Sequence, residues 1–223
     1  MTARTALVTG GSRGIGLAIT EVFKRREISV IAPSRADLNL SDPKSVAAWC
    51  VVNQHHQIDI LVNNAGINEL ASMDTLNDSS WQMMLQTNLT APFQLARAML
   101  PGMITRGWGR IVNIASIWGI VAKAHRGGYA ATKAGLIGMT RVLAIEGAAH
   151  GVIANAVCPG YVATEMTRAN NGPEELAKIA KLIPIGRLAE PHEIAKTVWW
   201  LCSEENTYLC GQTIMIDGGF TAI

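Results

Sequence analysis

Short, uninterrupted apolar runs alternate along the chain with longer segments in which apolar positions recur every three or four residues. Six runs rich in β-branched residues, at 5–9, 29–32, 58–63, 110–114, 152–157 and 213–217, predict strands. None shows the polar alternation of a sheet with one wet face, so helices should cover both faces. The longer segments, including 91–106 and 130–150, predict those helices. Strand and helix patterns in alternation imply parallel βαβ units and a doubly wound α/β sheet. The spacing breaks once. The second strand pattern ends near Ser34, and a strand-like piece at 37–40 follows within a few residues, whereas a parallel crossover needs roughly a dozen residues. The usual third strand and its preceding helix are therefore expected to be missing or vestigial, with Leu38, Asn39 and Leu40 running as a loop.

Composition narrows the function classes. Of 223 residues, 49% are hydrophobic and 16% are charged, which suits one domain spanning 1–223, without repeat or linker. A formal net charge of +2, with no Lys/Arg run that supplies a phosphate-tracking stripe, argues against a nucleic-acid partner. Cys50, Cys158, Cys202 and Cys210 form no Cys-x-x-Cys pair and have no matching histidine spacing. Neither a metal site nor a disulfide framework is expected, and the cysteines read as small buried residues of a reducing compartment. No apolar run approaches membrane-spanning length, and no basic-then-apolar leader opens the chain. A cytoplasmic protein that engages no membrane is the expectation.

The first strand pattern leads into Gly10, Gly11, Ser12, Arg13, Gly14, Ile15 and Gly16, with a helix pattern beginning near Ile15. In this context backbone amides and a helix N-terminus bind a pyrophosphate, and glycines let the backbone come close. The spacing is Gly-x-x-x-Gly-x-Gly, not the Gly-x-Gly-x-x-Gly of the general dinucleotide fingerprint. The same residues spell a Gly-x-Ser-x-Gly hydrolase elbow. That elbow needs an oxyanion donor from an earlier strand–helix loop, and only one strand precedes Gly10. Further along, Tyr129 and Lys133 stand at i and i+4 of a helix pattern, thirteen residues after Ser116. That spacing puts an ammonium and a phenol on one helix face, where the cation can favour the ionised phenol. Such a phenol can exchange a proton with a substrate oxygen. Taken singly, the pair describes a helix surface, and Ser116 a strand-end cap; with the glycine turn they point to carbonyl–alcohol redox chemistry.

In chain order, residues 9–16, Asn63-Asn64-Ala65-Gly66, Asn88, Ser116, Tyr129, Lys133 and Pro159-Gly160 resemble the short-chain dehydrogenase/reductase family over nearly the whole length. Residues 159–219, with Pro184-Ile185-Gly186-Arg187-Leu188 and Ile216-Asp217-Gly218-Gly219, are similar to its 3-oxoacyl-acyl-carrier-protein reductase branch. The resemblance implies a Rossmann-type fold and hydride exchange between NAD(P)(H) and a ketone or secondary alcohol. It implies that Tyr129 is the general acid in reduction and that Ser116 hydrogen-bonds the same substrate oxygen. Lys133 would lower the phenol's pKa and bind the nicotinamide ribose, and Asn88 would hold a water relaying protons to solvent. Gly10, Ser12, Arg13, Gly14, Ile15 and Gly16 would form the phosphate turn. Asn64, Ala65 and Gly66 would pack beside the adenosine ribose, with Asn39 and Leu40 at the adenine. Pro159 and Gly160 would turn the chain along the cofactor, and the Val162 backbone and Thr164 hydroxyl would hold the nicotinamide carboxamide.

Cofactor choice is read at the end of the second strand, where a carboxylate would accept from the ribose hydroxyls of NAD and repel a 2′-phosphate. Pro33, Ser34 and Arg35 fill that place, and Arg35 and Arg13 can both fork onto a phosphate, so NADP(H) is favoured over NAD(H). Asp37 could still reach a ribose if the shortened loop folds back. A 3-oxoacyl thioester is the leading substrate, and a sugar-like or other small polar ketone the alternative. A non-catalytic dinucleotide sensor is a remote third reading. Lys123, His125 and Arg126 should stand at the substrate mouth, where they either favour an anion or are solvated. Residues 165–182 should form a lid, with Met166, Leu176, Ile179 and Leu182 facing the nicotinamide and Asn170-Asn171-Gly172-Pro173 interrupting it. The basic positions with which the branch meets an acidic carrier protein fall on Gly107 and His150, with Arg106 and Arg110 nearby, which puts carrier docking in doubt. The excess apolar surface of the helices at 91–106 and 130–150 and of the end at 220–223 implies, by resemblance, homotetramer or homodimer contacts. The alternative is further packing within one subunit.

Overall fold

The computed structural model describes residues 4–222; Ile223, the last of the apolar C-terminal residues, lies outside them. Among the described residues six strands form one sheet: β1 (Thr5–Val8), β2 (Ser29–Ile31), β3 (Ile60–Asn63), β4 (Gly109–Ile114), β5 (Val152–Pro159) and β6 (Thr213–Ile216). Their order is β2-β1-β3-β4-β5-β6, and every pairing is parallel. The helices between them are α1 (Gly14–Arg25), α2 (Pro43–Val52), α3 (Asp78–Leu85), α4 (Ala91–Thr105), α5 (Gly127–Ala148), α6 (Glu165–Asn170), α7 (Pro173–Leu182) and α8 (Pro191–Cys202).

Successive strand residues face opposite sides. Val8, Ile60, Val62, Val112 and Val157 therefore meet Ile19 and Phe23 of α1 and Ile194 and Val198 of α8. On the other face Leu7, Leu61, Ile111 and Ala154 meet Val46 and Trp49 of α2, Leu95 and Met103 of α4 and Leu143 of α5. With two helical layers, every residue of β3 and β4 is buried, which is why the sequence shows apolar runs there and not alternation.

The shortened connection is borne out. Residues 32–42 contain no strand, and β2 is the sheet edge. The chain turns at Ser34, whose carbonyl accepts from the amides of Asp37 (3.2 Å) and Leu38 (2.9 Å). Leu38 and Leu40 then sink into the core beside Val46 and Trp49. Asp42 caps α2 by accepting from the Lys44 amide at 2.9 Å, with Pro43 at the first helical position. A second irregularity lies between α3 and α4. A π-helical turn at Gln86–Thr90 inserts an extra residue and sets Asn88 fully inside.

From β1 the chain goes to β2 on one side, whereas β3 lies on the other. This topological switch leaves a crevice outside the carboxyl ends of β1 and β3, where ligands of open α/β sheets bind. Phe23, fully buried at the centre of the α1–α8 layer, holds one wall in place. Phe23→Ala should cost about 3–5 kcal/mol in a urea titration; a loss below about 1 kcal/mol would contradict this packing.

Candidate active site

The crevice is a cleft of about 410 Å³, lined by the glycine turn, the loop after β2, the loop after β3, the ends of β4 and β5, and α6. Gly10 and Gly14 adopt φ of +65° and +54°, where a side chain would be strained. A Cβ on Gly16 would run into the Gly10 carbonyl oxygen, so α1 can start directly under the turn only with glycine there. Thr9 locks this turn to the next loop, its Oγ1 accepting from the amides of Asn64 (3.0 Å) and Ala65 (3.1 Å). Asn64 Nδ2 returns a bond to the Thr9 carbonyl at 2.9 Å. No side chain caps α1, so its first amides are free for an anion.

Gly10, Ser12, Arg13, Gly14, Ile15, Arg35, Asn39, Leu40, Asn64, Ala65, Gly66, Ser116, Tyr129, Lys133, Pro159, Gly160, Val162 and Thr164 all line this one cleft. Three other expected positions do not. Gly16 is buried beneath the turn. Ser34 is turned into its own loop, where its hydroxyl donates to Asp37 at 2.7 Å and its amide donates to the same carboxylate at 3.2 Å. Asn88 stands behind the wall. Its Nδ2 donates to the Ile67 carbonyl (2.9 Å) and Thr132 Oγ1 (3.1 Å), and its Oδ1 accepts from the Ile67 amide (2.9 Å). Asn88 and Lys133 still open on one small space. A methyl group on Gly66 would fall 3.3 Å from Asn88 Oδ1 and 3.4 Å from Lys133 Nζ.

Lys133 is buried in α5, and its ammonium donates to the Ile114 carbonyl at 2.7 Å. Burial lowers its pKa from 10.5 to about 8. The Tyr129 phenol is raised by burial, opposed in smaller measure by hydrogen bonding with Ser116 and by the Arg126 charge. The depression by Lys133 anticipated from the i, i+4 spacing is absent, because Nζ turns to Ile114 and stays 5.5 Å from the ring centroid. Ser116 Oγ accepts from the Trp118 amide at 3.2 Å. Beside them, burial pushes the Cys158 thiol up to about 11, leaving it neutral.

Several surrounding expectations are revised. Asp37 is committed to Ser34, and those bonds hold its carboxyl below the ordinary value. Arg13 pairs with Glu165 at 2.8 Å, whereas Arg35 has no ion pair among the described residues. Of the loop before Tyr129, Lys123 and His125 are exposed but Arg126 is buried, and the loop does not line the cleft. The lid breaks between α6 and α7, as Asn170-Asn171-Gly172-Pro173 predicts. Met166 lines the cleft and Ile179 packs on Trp118 and Tyr161, but Leu182 points to solvent at 61% exposure. Ile67, Met83, Thr87 and Thr167 also line the cleft. No motif marked them; only the folded loops bring them there.

A glycine-built anion cradle at the switch point of a parallel sheet, opening onto a Ser–Tyr–Lys set, defines an NAD(P)-dependent oxidoreductase acting on CH–OH groups. Comparison with known proteins agrees. A family model described as "Enoyl-(Acyl carrier protein) reductase" matches residues 32–221. A 3-oxoacyl-acyl-carrier-protein reductase of Vibrio cholerae is 38% identical, covering 99% of this chain and 98% of that protein. An acetoacetyl-CoA reductase of Shinella zoogloeoides is 40% identical, with 97% and 98% covered. A structure from Beutenbergia cavernae, described as an NAD(P)-dependent gluconate 5-dehydrogenase with bound NADP, superposes with a TM-score of 0.93 at 34% identity, covering 100% of this chain and 98% of that one. The chain belongs to the short-chain dehydrogenase/reductase family.

The depressed Lys133 pKa has a consequence for stability. Between about pH 8 and 10.5 the unfolded chain binds this proton and the folded chain does not, so Lys133's contribution to stability rises with pH across that window. In denaturant titrations, the stability difference between wild type and Lys133→Met should move in favour of wild type by about 2 kcal/mol from pH 7 to 9.5. A constant difference, or one moving the other way, would contradict the buried ammonium.

Proposed function

We propose that residues 1–223 form one catalytic domain that reduces a ketone with NADP(H), or oxidises the corresponding secondary alcohol. The observation that carries this reading is the convergence of Ser116, Tyr129 and Lys133 at one end of the cleft whose other end is the glycine turn. The residues present fit a dinucleotide: Gly10 and Gly16 leave the backbone bare, and the first amides of α1 are uncapped. When bound, the cofactor supplies the hydride. Tyr129 gives its phenolic proton to the substrate oxygen, and Ser116 Oγ donates a second hydrogen bond to that oxygen. Lys133 binds the ribose hydroxyls and, with Asn88, holds a water in the space beside Gly66 through which Tyr129 is reprotonated. Val162 and Thr164 hold the carboxamide. Tyr129→Phe should lower turnover by roughly 10²–10⁴-fold while leaving NADPH affinity unchanged. Unchanged turnover would overturn the mechanism.

NADP(H) is favoured over NAD(H) because the nearest carboxylate to the end of β2, Asp37, is bound to Ser34, while Arg35 lines the cleft unpaired. Arg35→Ala should raise the KM for NADPH about tenfold and that for NADH less than twofold, since one charge-assisted contact to phosphate is lost. Equal effects on the two cofactors would refute the argument.

The leading substrate is a 3-oxoacyl thioester, supported by the activities named for the relatives at 38–40% identity and by Met166 and Ile179 on the lid side. A sugar-acid ketone is the second reading, supported by the structure described as a gluconate 5-dehydrogenase. A carrier protein finds little to dock on. Arg110 is buried and donates to the Gly109, Gly151 and Asn206 carbonyls, and Arg106 is tied to Asp59 and the Ile58 carbonyl. Exposed Phe93 on α4 and exposed Val142 and Ile145 on α5 suit contacts between subunits of a homotetramer. Among the described residues no helix is long and apolar enough to cross a membrane, and the four free cysteines suit the cytoplasm.

A further inference from the structure

We infer that Thr87, in the π-helical turn before α4, is a cofactor-binding residue whose hydroxyl hydrogen-bonds the adenosine half of the dinucleotide. It supplies there a polar contact that side chains of the shortened loop after β2 spend on one another. The inference rests on the reading of the cleft as a dinucleotide site, and it adds to that reading a residue that no motif marks.

Five buried side-chain polar atoms have no hydrogen-bond partner among the described residues, and Thr87 Oγ1 is the only one of them that belongs to a residue lining the cleft. Thr87 is 7% exposed. A hydroxyl kept from water without a partner costs free energy. Helical threonines can relieve that cost by donating to a carbonyl one turn back, as Thr132 does to Tyr129 at 2.8 Å and Thr140 to Leu136 at 2.7 Å. Thr87 makes no such bond, so both the donor and the acceptor capacity of its hydroxyl are unspent.

The flanking residues fix where Thr87 points. Gln86 Nε2 donates to the Leu40 carbonyl at 3.2 Å, in the loop after β2. Asn88 is bonded to the amide and the carbonyl of Ile67, in the loop after β3. Successive helical side chains stand about 100° apart, so Thr87 points between these two loops, and Met83 one turn earlier lines the cleft on the same face. On the dinucleotide reading, adenosine lies there, between Asn39-Leu40 and Ala65-Gly66. Polar groups of the first loop are already engaged: Asp37 holds Ser34, and Asn39 Oδ1 accepts from the Ser41 hydroxyl (2.8 Å) and amide (3.2 Å). Leu40, Ala65 and Gly66 bring no polar side chain. The Thr87 hydroxyl is the unspent group that can meet a ring nitrogen, the amino group or a ribose hydroxyl of adenosine.

The test is calorimetric binding of NADPH and of 2′,5′-ADP, which carries the adenosine half alone, to the full chain as wild type, Thr87→Val and Thr87→Ser, with the melting temperature of each ligand-free protein. Thr87→Val keeps the shape and removes the hydroxyl. It should raise the Kd for both ligands by about threefold to tenfold, as the loss of one neutral hydrogen bond allows, and Thr87→Ser should stay within about twofold of wild type. Without ligand, Thr87→Val should melt no lower than wild type, because it removes a buried hydroxyl that has no partner. Unchanged binding of 2′,5′-ADP by Thr87→Val would overturn the proposal, whether or not NADPH is weakened. Weaker binding accompanied by a lower ligand-free melting temperature, with no recovery in Thr87→Ser, would make Thr87 a structural residue and also overturn it. Either result leaves the dinucleotide reading intact, whereas a wild type that binds neither ligand would overturn both.

Discussion

The fold is arranged around a charge that it has taken out of water. The Lys133 ammonium, buried in α5 and bonded to the Ile114 carbonyl, can sit there only because α5 packs closely against β5 and the short helical turn at Ile117–Gly119 that follows β4. Gly119 is one requirement of that docking, since a Cβ there would fall 2.9 Å from the Lys133 carbonyl carbon. Gly66 is another, because it leaves open the space shared with Asn88. The π-helical turn before α4 is a third, since it turns Asn88 inward to hold the Ile67 backbone and Thr132. Burying an ammonium is unfavourable, and the two apolar layers around the sheet supply the stability against which that cost is set.

The cleft then divides by charge. At the glycine-turn end, bare backbone and helix amides meet Arg13 and Arg35 with no free carboxylate between them. Arg13's bond to Glu165 at the start of α6 joins the glycine turn to the lid, but both side chains are largely exposed, so the pair is screened and can exchange for another anion. At the reacting end, Tyr129 is desolvated and Cys158 is a neutral thiol, so the formal charges near the phenol are those of Lys133 and Arg126. Burial disfavours the ionised phenol, and the hydrogen bond with Ser116 and the Arg126 charge oppose it in smaller measure.

Most of the architecture was legible in the sequence because its signals are local. The apolar runs located all six strands to within two residues at their ends. The few residues between Ser34 and Asp37 showed that no crossover fits, and Asn171-Gly172-Pro173 marked the break in the lid. The glycine turn was legible because its positive φ values demand glycine. What escaped depends on tertiary direction. Whether Lys133 Nζ would face the phenol or a carbonyl, whether Arg126 would be solvated or buried under Trp118, and whether Leu182 would face in or out are settled by how α5 and α7 rotate against the sheet. Sequence spacing does not report that rotation. Asp37 could reach either a ribose or its own turn, and the hydrogen bonds to Ser34 decide for the turn.

The central claim is that this cleft transfers hydride between NADP(H) and a ketone. It is tested most directly by following absorbance at the reduced-nicotinamide band as purified protein meets NADPH or NADH with a panel of 3-oxoacyl thioesters and sugar-acid ketones. Oxidation of NADPH in preference to NADH, dependent on one of these ketones, is the expected result. Tight nucleotide binding without turnover of any ketone would contradict it and leave a dinucleotide-binding protein that does no chemistry.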